Sequence, residues 1–232
     1  MAQFPDPAGP TRANWLALPP EPWKNGGGVT RTLAVDDAIP GRTPRWRVSV
    51  ADIERDGPYS CFPGYDRVSV VMSGDGVDLL GDGIEVALLP GIATAFAGDV
   101  AFQSRLRGGA VRVLNLFVLR GAVQASVVCA GSVQQALAAG SAPDAATQTV
   151  RVMLALAPGH LAGGAGDARV MLAPGDFVID PACRGTARNA FVLTQPPAQY
   201  ALGAVLLDLR FAPDETSVHP TPRTPAQGRG VR

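Results

Sequence analysis

Short runs of alternating or continuous apolar residues, broken every few positions by glycine or proline, run the length of this chain, with no long stripe at helical spacing. That pattern predicts a mainly β protein. The expected strands are Arg45 to Ala51, Val68 to Met72, Ile84 to Leu89, Val111 to Leu119, Val123 to Cys129, Val150 to Leu156, Phe177 to Ile179 and Leu202 to Phe211. Gly74-Asp75-Gly76 and Gly81-Asp82-Gly83 supply residues that tolerate positive φ, so they should bracket a hairpin strand, Val77 to Leu80. Only Ser132 to Ala139 has the composition of a helix, about two turns long, which is marginal without tertiary packing. Many short strands at turn-rich spacing point to a sandwich or a barrel.

The segment from Gly121 to Thr149 includes a small, polar stretch that can join two β halves. The chain is therefore divided into residues 14–120, residues 121–212 and a proline-rich tail, 213–232, expected to be disordered. Leu89-Pro90-Gly91 and Ala173-Pro174-Gly175 echo one another, each after a strand and before another apolar run, which is equally consistent with two ordinary Pro-Gly turns.

Composition narrows the picture. At 232 residues, 47% hydrophobic and 17% charged, the chain can bury a substantial core. Twenty basic against twenty acidic residues remove the global attraction that nonspecific nucleic-acid binding needs, so no nucleic-acid partner is expected. The three cysteines, Cys61, Cys129 and Cys183, form no CxxC pair, which argues against a disulfide framework and a cysteine zinc site. The N-terminal segment lacks a charged region followed by an apolar one, and no apolar run approaches the roughly 20 residues that span a bilayer. A soluble, cytoplasmic protein without a membrane partner is the expectation.

Histidine occurs twice, at His160 and His219, so no HxH or HExxH ligand pair exists and no metal is expected. His160, after Pro158-Gly159, reads most simply as a loop residue. There is no phosphate-cradling GK[ST] loop, no GxGxxG and no GxSxG elbow, so no nucleotide cofactor or serine hydrolase is indicated.

Of the basic residues 19 are arginine and one, Lys24, is lysine, inside Trp23-Lys24-Asn25-Gly26-Gly27-Gly28-Val29-Thr30-Arg31. A compact ammonium differs chemically from a planar guanidinium, although a single lysine can also fall there by chance. Three glycines let backbone N–H groups approach an anion, which Lys24, Asn25 and Arg31 could surround. In Trp46 to Asp52, period two puts Trp46, Val48 and Val50 on a packing face and Arg47, Ser49 and Ala51 on a polar one. Arg67 stands at the mouth of the strand that follows Tyr59 to Asp66; it either reaches into a cavity or makes a surface ion pair with Asp66 or Asp52. Asn115 interrupts an apolar strand and shares a face with Val113 and Phe117. A buried amide must find partners, either neighbouring backbone or a ligand. Asp176, Asp180, Arg184 and Arg188 read as solvated turn charges.

At these motifs, together with Gly57-Pro58-Tyr59-Ser60 and Phe62-Pro63-Gly64-Tyr65-Asp66-Arg67, the chain resembles the HutD/Ves family from about Trp15 to Arg120. It departs from the family's pattern at Ala97-Gly98-Asp99, where Pro-Gly-Asp is usual, and at Val113, where the family tends to be acidic. The resemblance implies a two-lobed cupin-like β-barrel or sandwich, a bicupin, without metal-binding histidines. It further implies a role near histidine utilisation with no established reaction. Carried over, it implies a pocket lined by Lys24, Asn25, Arg31, Ser49, Arg67 and Asn115 for a small carboxylate such as urocanate or formylglutamate. The leading expectation is a non-enzymatic binding protein that modulates catabolic flux or a stress response. The alternatives are a metal-independent isomerase or lyase using Lys24 with Asp52 as base and partner, and a structural protein whose β edges pair into a homodimer.

Overall fold

Period-two alternation in Trp46–Ile53, Tyr65–Ser73 and Val111–Leu119 distributes side chains onto the two faces of one sheet, and both faces are buried. The computed structural model describes residues 10–36, 43–130, 149–162, 169–180, 190–194 and 202–211. Over these residues the chain forms β1 (Thr11–Asn14), β2 (Glu21–Pro22), β3 (Gly28–Val35), β4 (Trp46–Ile53), β5 (Gly57–Tyr59), β6 (Tyr65–Ser73), β7 (Val77–Gly81), β8 (Ile84–Leu88) and β9 (Ala93–Ala97). It continues with β10 (Phe102–Leu106), β11 (Val111–Leu119), β12 (Val123–Ala130), β13 (Thr149–Ala155), β14 (Gly159–Ala162), β15 (Val170–Leu172), β16 (Asp176–Asp180), β17 (Ala190–Leu193) and β18 (Ala204–Phe211). Helix among the described residues is limited to one 3-10 turn, Trp15–Ala17, whose N-cap Asn14 accepts from the Leu16 N–H. The helix expected over Ser132 to Ala139 and the tail 213–232 lie outside the described residues.

Four sheets form, with strand orders β5-β10-β7-β8, β2-β3-β4-β11-β6-β9, β1-β16-β13-β18-β12 and β15-β14-β17. Three apolar clusters lie between them in that order. Ile53, Val71 and Val113 of the six-stranded sheet meet Leu79, Leu88 and Phe102 of the four-stranded sheet. On its other face Trp46, Val48, Val50, Leu114 and Leu116 meet Val152, Leu154, Phe177, Leu207 and Leu209 of the five-stranded sheet. The five-stranded sheet turns Met153, Val178 and Leu206 toward Leu172 of the three-stranded one. Each fully buried aliphatic or aromatic side chain contributes about 1.5–3 kcal/mol, so these clusters hold the layers together.

The mainly β architecture expected from sequence is the one adopted. Of the barrel or sandwich expected, the described residues form layered open sheets, and no sheet closes on itself among them. The hairpin strand Val77–Gly81 lies where the Gly-Asp-Gly turns placed it, with positive φ at Gly74, Gly76, Asp82 and Gly83. Strand β3 was not expected, because Thr and Arg obscure its alternation and a bulge between Thr32 and Ala34 sends both Leu33 and Ala34 to the apolar side. His160 lies in β14 rather than in a loop. Asp176 is also a correction: it is a buried strand residue whose carboxylate accepts from Arg12, Asn14 and the Ala173 N–H. Burial alone would raise its pKa, and those three donors outweigh burial to hold it low.

The three glycines after Asn25 have separate jobs. Gly26 adopts φ +64° in the turn, and a Cβ on Gly28 would lie 2.1 Å from the Asp52 carbonyl oxygen of β4, whereas Gly27 meets only the Asn25 side chain at 3.2 Å. Gly28→Ala should therefore lose at least about 2 kcal/mol. Gly26→Ala should lose about 1 kcal/mol and Gly27→Ala less than about 0.5 kcal/mol, read from urea unfolding midpoints. Equal losses at the three positions would overturn this assignment.

Candidate functional site

The face of the six-stranded sheet that looks toward the four-stranded one is graded along the strands. Register places Gly28, Ile53 and Val111 side by side at one end, followed by Thr30, Ala51, Val113 and Val71. The next level is polar across five strands, with Thr32, Ser49, Asn115, Ser69 and Thr94. The last is cationic and aromatic: Arg47, Phe117, Arg67 and Phe96. The face that sequence marked as the polar side of β4 thus points into the protein, where Ser49 is 2% exposed.

Asn115 ties these levels together. Its Oδ1 accepts from the Tyr59 hydroxyl at 2.9 Å, the Ser69 hydroxyl at 2.8 Å and Arg67 Nη2 at 3.1 Å, and its Nδ2 donates to the Val113 carbonyl at 3.4 Å. Arg67 is 4% exposed; its Nη1 donates to the Ser60 carbonyl at 3.0 Å and its Nε is buried without a partner. Four rings surround the guanidinium, Tyr59 at 4.4 Å, Phe117 at 4.5 Å, Phe96 at 5.1 Å and Phe62 at 5.5 Å. Cation–π contacts of this kind contribute about 0.5–2 kcal/mol each and offset part of the cost of removing the cation from water.

Arg47 lies on the other side of Phe117, 6.0 Å from the ring, with Nη2 donating to the Thr32 hydroxyl at 2.7 Å and its Nε also buried and unpartnered. The Thr32 hydroxyl in turn donates to Glu21 at the sheet edge. Among the described residues neither Arg47 nor Arg67 makes an ion pair. The acids that sequence offered to Arg67 are engaged elsewhere, Asp66 with Arg120 and Asp52 with both Arg31 and Arg112. Burial pushes the Arg67 guanidinium below its ordinary pKa and the like charge of Arg47 pushes the same way, while Tyr59 pushes it up.

The six residues expected to line a pocket divide in half. Ser49, Arg67 and Asn115 come together on two adjacent levels of the interior face. Arg31 does not join them: it pairs with Val50, on the opposite face, and binds Asp52 at 2.9 Å beside Trp15. Lys24 and Asn25 are exposed in the turn before Gly28, at the apolar end of the graded face. From the Ile53 level to the Arg47 level is six residues of strand, about 20 Å. The turn itself is closed by Asn25 Oδ1 accepting from Gly27 N–H, Arg55 donating to the Gly26 carbonyl and Gly26 N–H donating to the Trp23 carbonyl. Asp52, the suggested partner of Lys24, is held between two guanidiniums. Sequence reasoning did not single out Tyr59, Phe62, Ser69, Phe96 or Phe117 as site residues. The alternation of β6 and β11 around Arg67 and Asn115 contained the signal for Ser69 and Phe117.

The loop Ser60 to Gly64 covers the Arg67 end. Phe62 packs against Phe117 in a tilted contact with ring centroids 4.6 Å apart, and the loop is fastened by Phe62 N–H to the Gly98 carbonyl at 2.7 Å and Gly64 N–H to the Asp99 carboxylate at 2.9 Å. Arg120 also binds Asp99, and these donors hold its carboxyl below the usual range, with Arg120 first.

Comparison with known proteins gives the chain its relatives. The family model HutD matches residues 17–190. An uncharacterized 21.2 kDa protein from the hutC 3′ region of Pseudomonas putida is 46% identical over 99 residues, 42% of this chain and 52% of that protein. Protein Ves of Cronobacter sakazakii is 31% identical over 112 residues, 47% of this chain and 61% of that protein. The chain thus spans between half and two thirds of the length of these relatives. A crystal structure of a conserved protein of unknown function from Pseudomonas aeruginosa PAO1 has TM-score 0.72 at 26% identity, covering 88% of this chain and 99% of that one. HutD from Pseudomonas fluorescens gives TM-score 0.59 at 26% identity over 87% of this chain and 97% of that one. With three quarters of its length matched by the family model and a fold shared over 87% of the chain with HutD, the chain belongs to the HutD/Ves family.

Proposed function

We propose that this protein binds a small carboxylate at the cationic end of the graded face, without turning it over, and that binding modulates a catabolic pathway or a stress response. The observation that carries the reading is the pair of guanidiniums, Arg47 and Arg67, flanking Phe117 with no carboxylate partner among the described residues. Buried cations are ordinarily paired, and a carboxylate guest is a partner that matches the guanidinium fork by charge-assisted hydrogen bonds. Asn115, Ser49 and Ser69 provide polar groups one level away. Lys24, Asn25 and Arg31 act in this reading on the shape and stability of β3 rather than on the guest. Residues 14–120 and 121–212 are taken as two cupin-like halves, and the cationic end of the graded face lies in the first.

The names HutD and hutC carried by relatives link the family to histidine utilisation, which makes urocanate and formylglutamate the carboxylates to test first. Titration calorimetry with the full chain should detect one of them at micromolar to millimolar affinity and recover it chemically unchanged. Arg67→Met should abolish binding. Binding that persists in Arg67→Met, or conversion of the compound, would overturn the proposal.

The same geometry fixes a sign for stability. A guanidinium whose folded pKa is depressed opposes folding while it is charged, and the opposition fades only as pH rises from the folded value toward the unfolded one. At neutral pH that cost is present in full and offsets part of what the Arg67 hydrogen bonds to Asn115 and the Ser60 carbonyl contribute, so Arg67→Met should lower the unfolding midpoint less than Asn115→Ala does. Asn115→Ala, which strands the Tyr59 and Ser69 hydroxyls and Arg67 together, should cost about 3 kcal/mol. Denaturant titration of both variants checks the contrast.

A further inference from the structure

A hollow of about 520 Å³ opens at one end of the seam between the six- and five-stranded sheets, away from Arg67, within the size range of small-molecule sites. Its walls are the two Pro-Gly turns that echo one another in sequence, Pro90-Gly91 and Pro174-Gly175, both with a left-handed glycine. The turns are fastened alike, Gly91 N–H to the Val71 carbonyl at 2.9 Å and Gly175 N–H to the Ala155 carbonyl at 2.8 Å. The residues that follow those carbonyls, Met72 and Leu156, face the hollow, joined by Leu202. The symmetric walls are apolar.

The polar side comes from one sheet alone. Arg112 lines the hollow with its side chain 37% exposed, its guanidinium carbon lies 4.7 Å from the centroid of the Trp15 ring, and its Nε donates to Asp52 at 2.6 Å. Asp52 also binds Arg31. Two guanidiniums share one carboxylate, so the cluster carries an uncompensated positive charge beside an apolar space. Trp15, another wall residue, is 4% exposed and its indole Nε1 is buried with no hydrogen-bond partner.

We propose that this seam is a second binding site, for an amphipathic monocarboxylate whose apolar part lies between the paired Pro-Gly turns and whose carboxylate meets Arg112. It stands apart from the Arg67 reading, since the two sites lie on opposite faces of the six-stranded sheet. The probe is octanoate, with 1-octanol as its uncharged counterpart, titrated into the full chain and followed by calorimetry. Octanoate should bind at or below about 5 mM and at least about tenfold more tightly than 1-octanol, the ratio expected of one charge-assisted contact. Arg112→Gln should remove that preference. Leu202→Trp, which takes up space in the hollow and removes no charged group, should abolish binding while the circular dichroism spectrum stays native. Arg67→Met should bind octanoate as the unaltered chain does. Absence of octanoate binding, equal affinity for the alcohol, retention of binding by Leu202→Trp, or loss in Arg67→Met would each overturn the assignment. None of these outcomes depends on whether urocanate or formylglutamate binds at Arg67.

Discussion

Burial of the six-stranded sheet on both faces is the constraint on which the rest of the molecule depends. With no solvent side along the middle of the sheet to absorb polar residues, the central residues of β4, β6 and β11 must satisfy one interior or the other. One face is wholly apolar over most of its width and welds the sheet to its five-stranded neighbour. The other grades from apolar to cationic. Because the side-chain period is two, sliding β6 by a single residue would send Arg67 into the apolar seam and Val68 into the aromatic enclosure, so the large hydrophobic cluster itself enforces where the guanidinium stands.

The five-stranded sheet shows what the same architecture looks like when its charges are satisfied internally. Register aligns Asp180, Arg151 and Asp208 on adjacent strands, and Arg151 binds Asp208 at 2.7 Å with both side chains under 10% exposed. That arginine has its counter-ion built into the neighbouring strand. Arg47 and Arg67 instead face Phe117 between them, and their compensation comes from rings, carbonyls and an amide. The contrast separates an arginine neutralised by a carboxylate on the next strand from two that are held by neutral groups.

Much of this was legible in the chain itself. Val111–Leu119 was read at its observed bounds, and the alternation of β4 correctly grouped Arg47 with Ser49, because period two survives wherever a strand is long and regular. What alternation cannot say is which face meets water, so the stripe of Arg47, Ser49 and Ala51 could be called polar but not assigned to the interior from its period alone. The glycine-rich turn misled in another way. Three glycines beside a lone lysine fit an anion cradle and a tight hairpin equally well, and only the close pass of Gly28 over the Asp52 carbonyl identifies the second. Arg31 was placed with Arg67 because proximity in sequence motifs carries no information about which side of β3 a residue occupies; the register opposite Val50 decides it. The ring of Tyr59, Phe62, Phe96 and Phe117 draws on four separate segments, and no local pattern reveals such a convergence.

The pairing of β1 with β16 has a consequence for how the protein is made. Thr11 to Asn14 complete the edge of the five-stranded sheet, and Arg12 finds its carboxylate 164 positions further along the chain. During synthesis that segment leaves the ribosome long before its partner exists, and Trp15 stays without its enclosing layer for the same interval. Non-local pairing of this kind slows folding and prolongs the exposure of sticky intermediates. β18, made later still, sits between β13 and β12, so the five-stranded sheet is complete only when segments from both ends of the described residues have met.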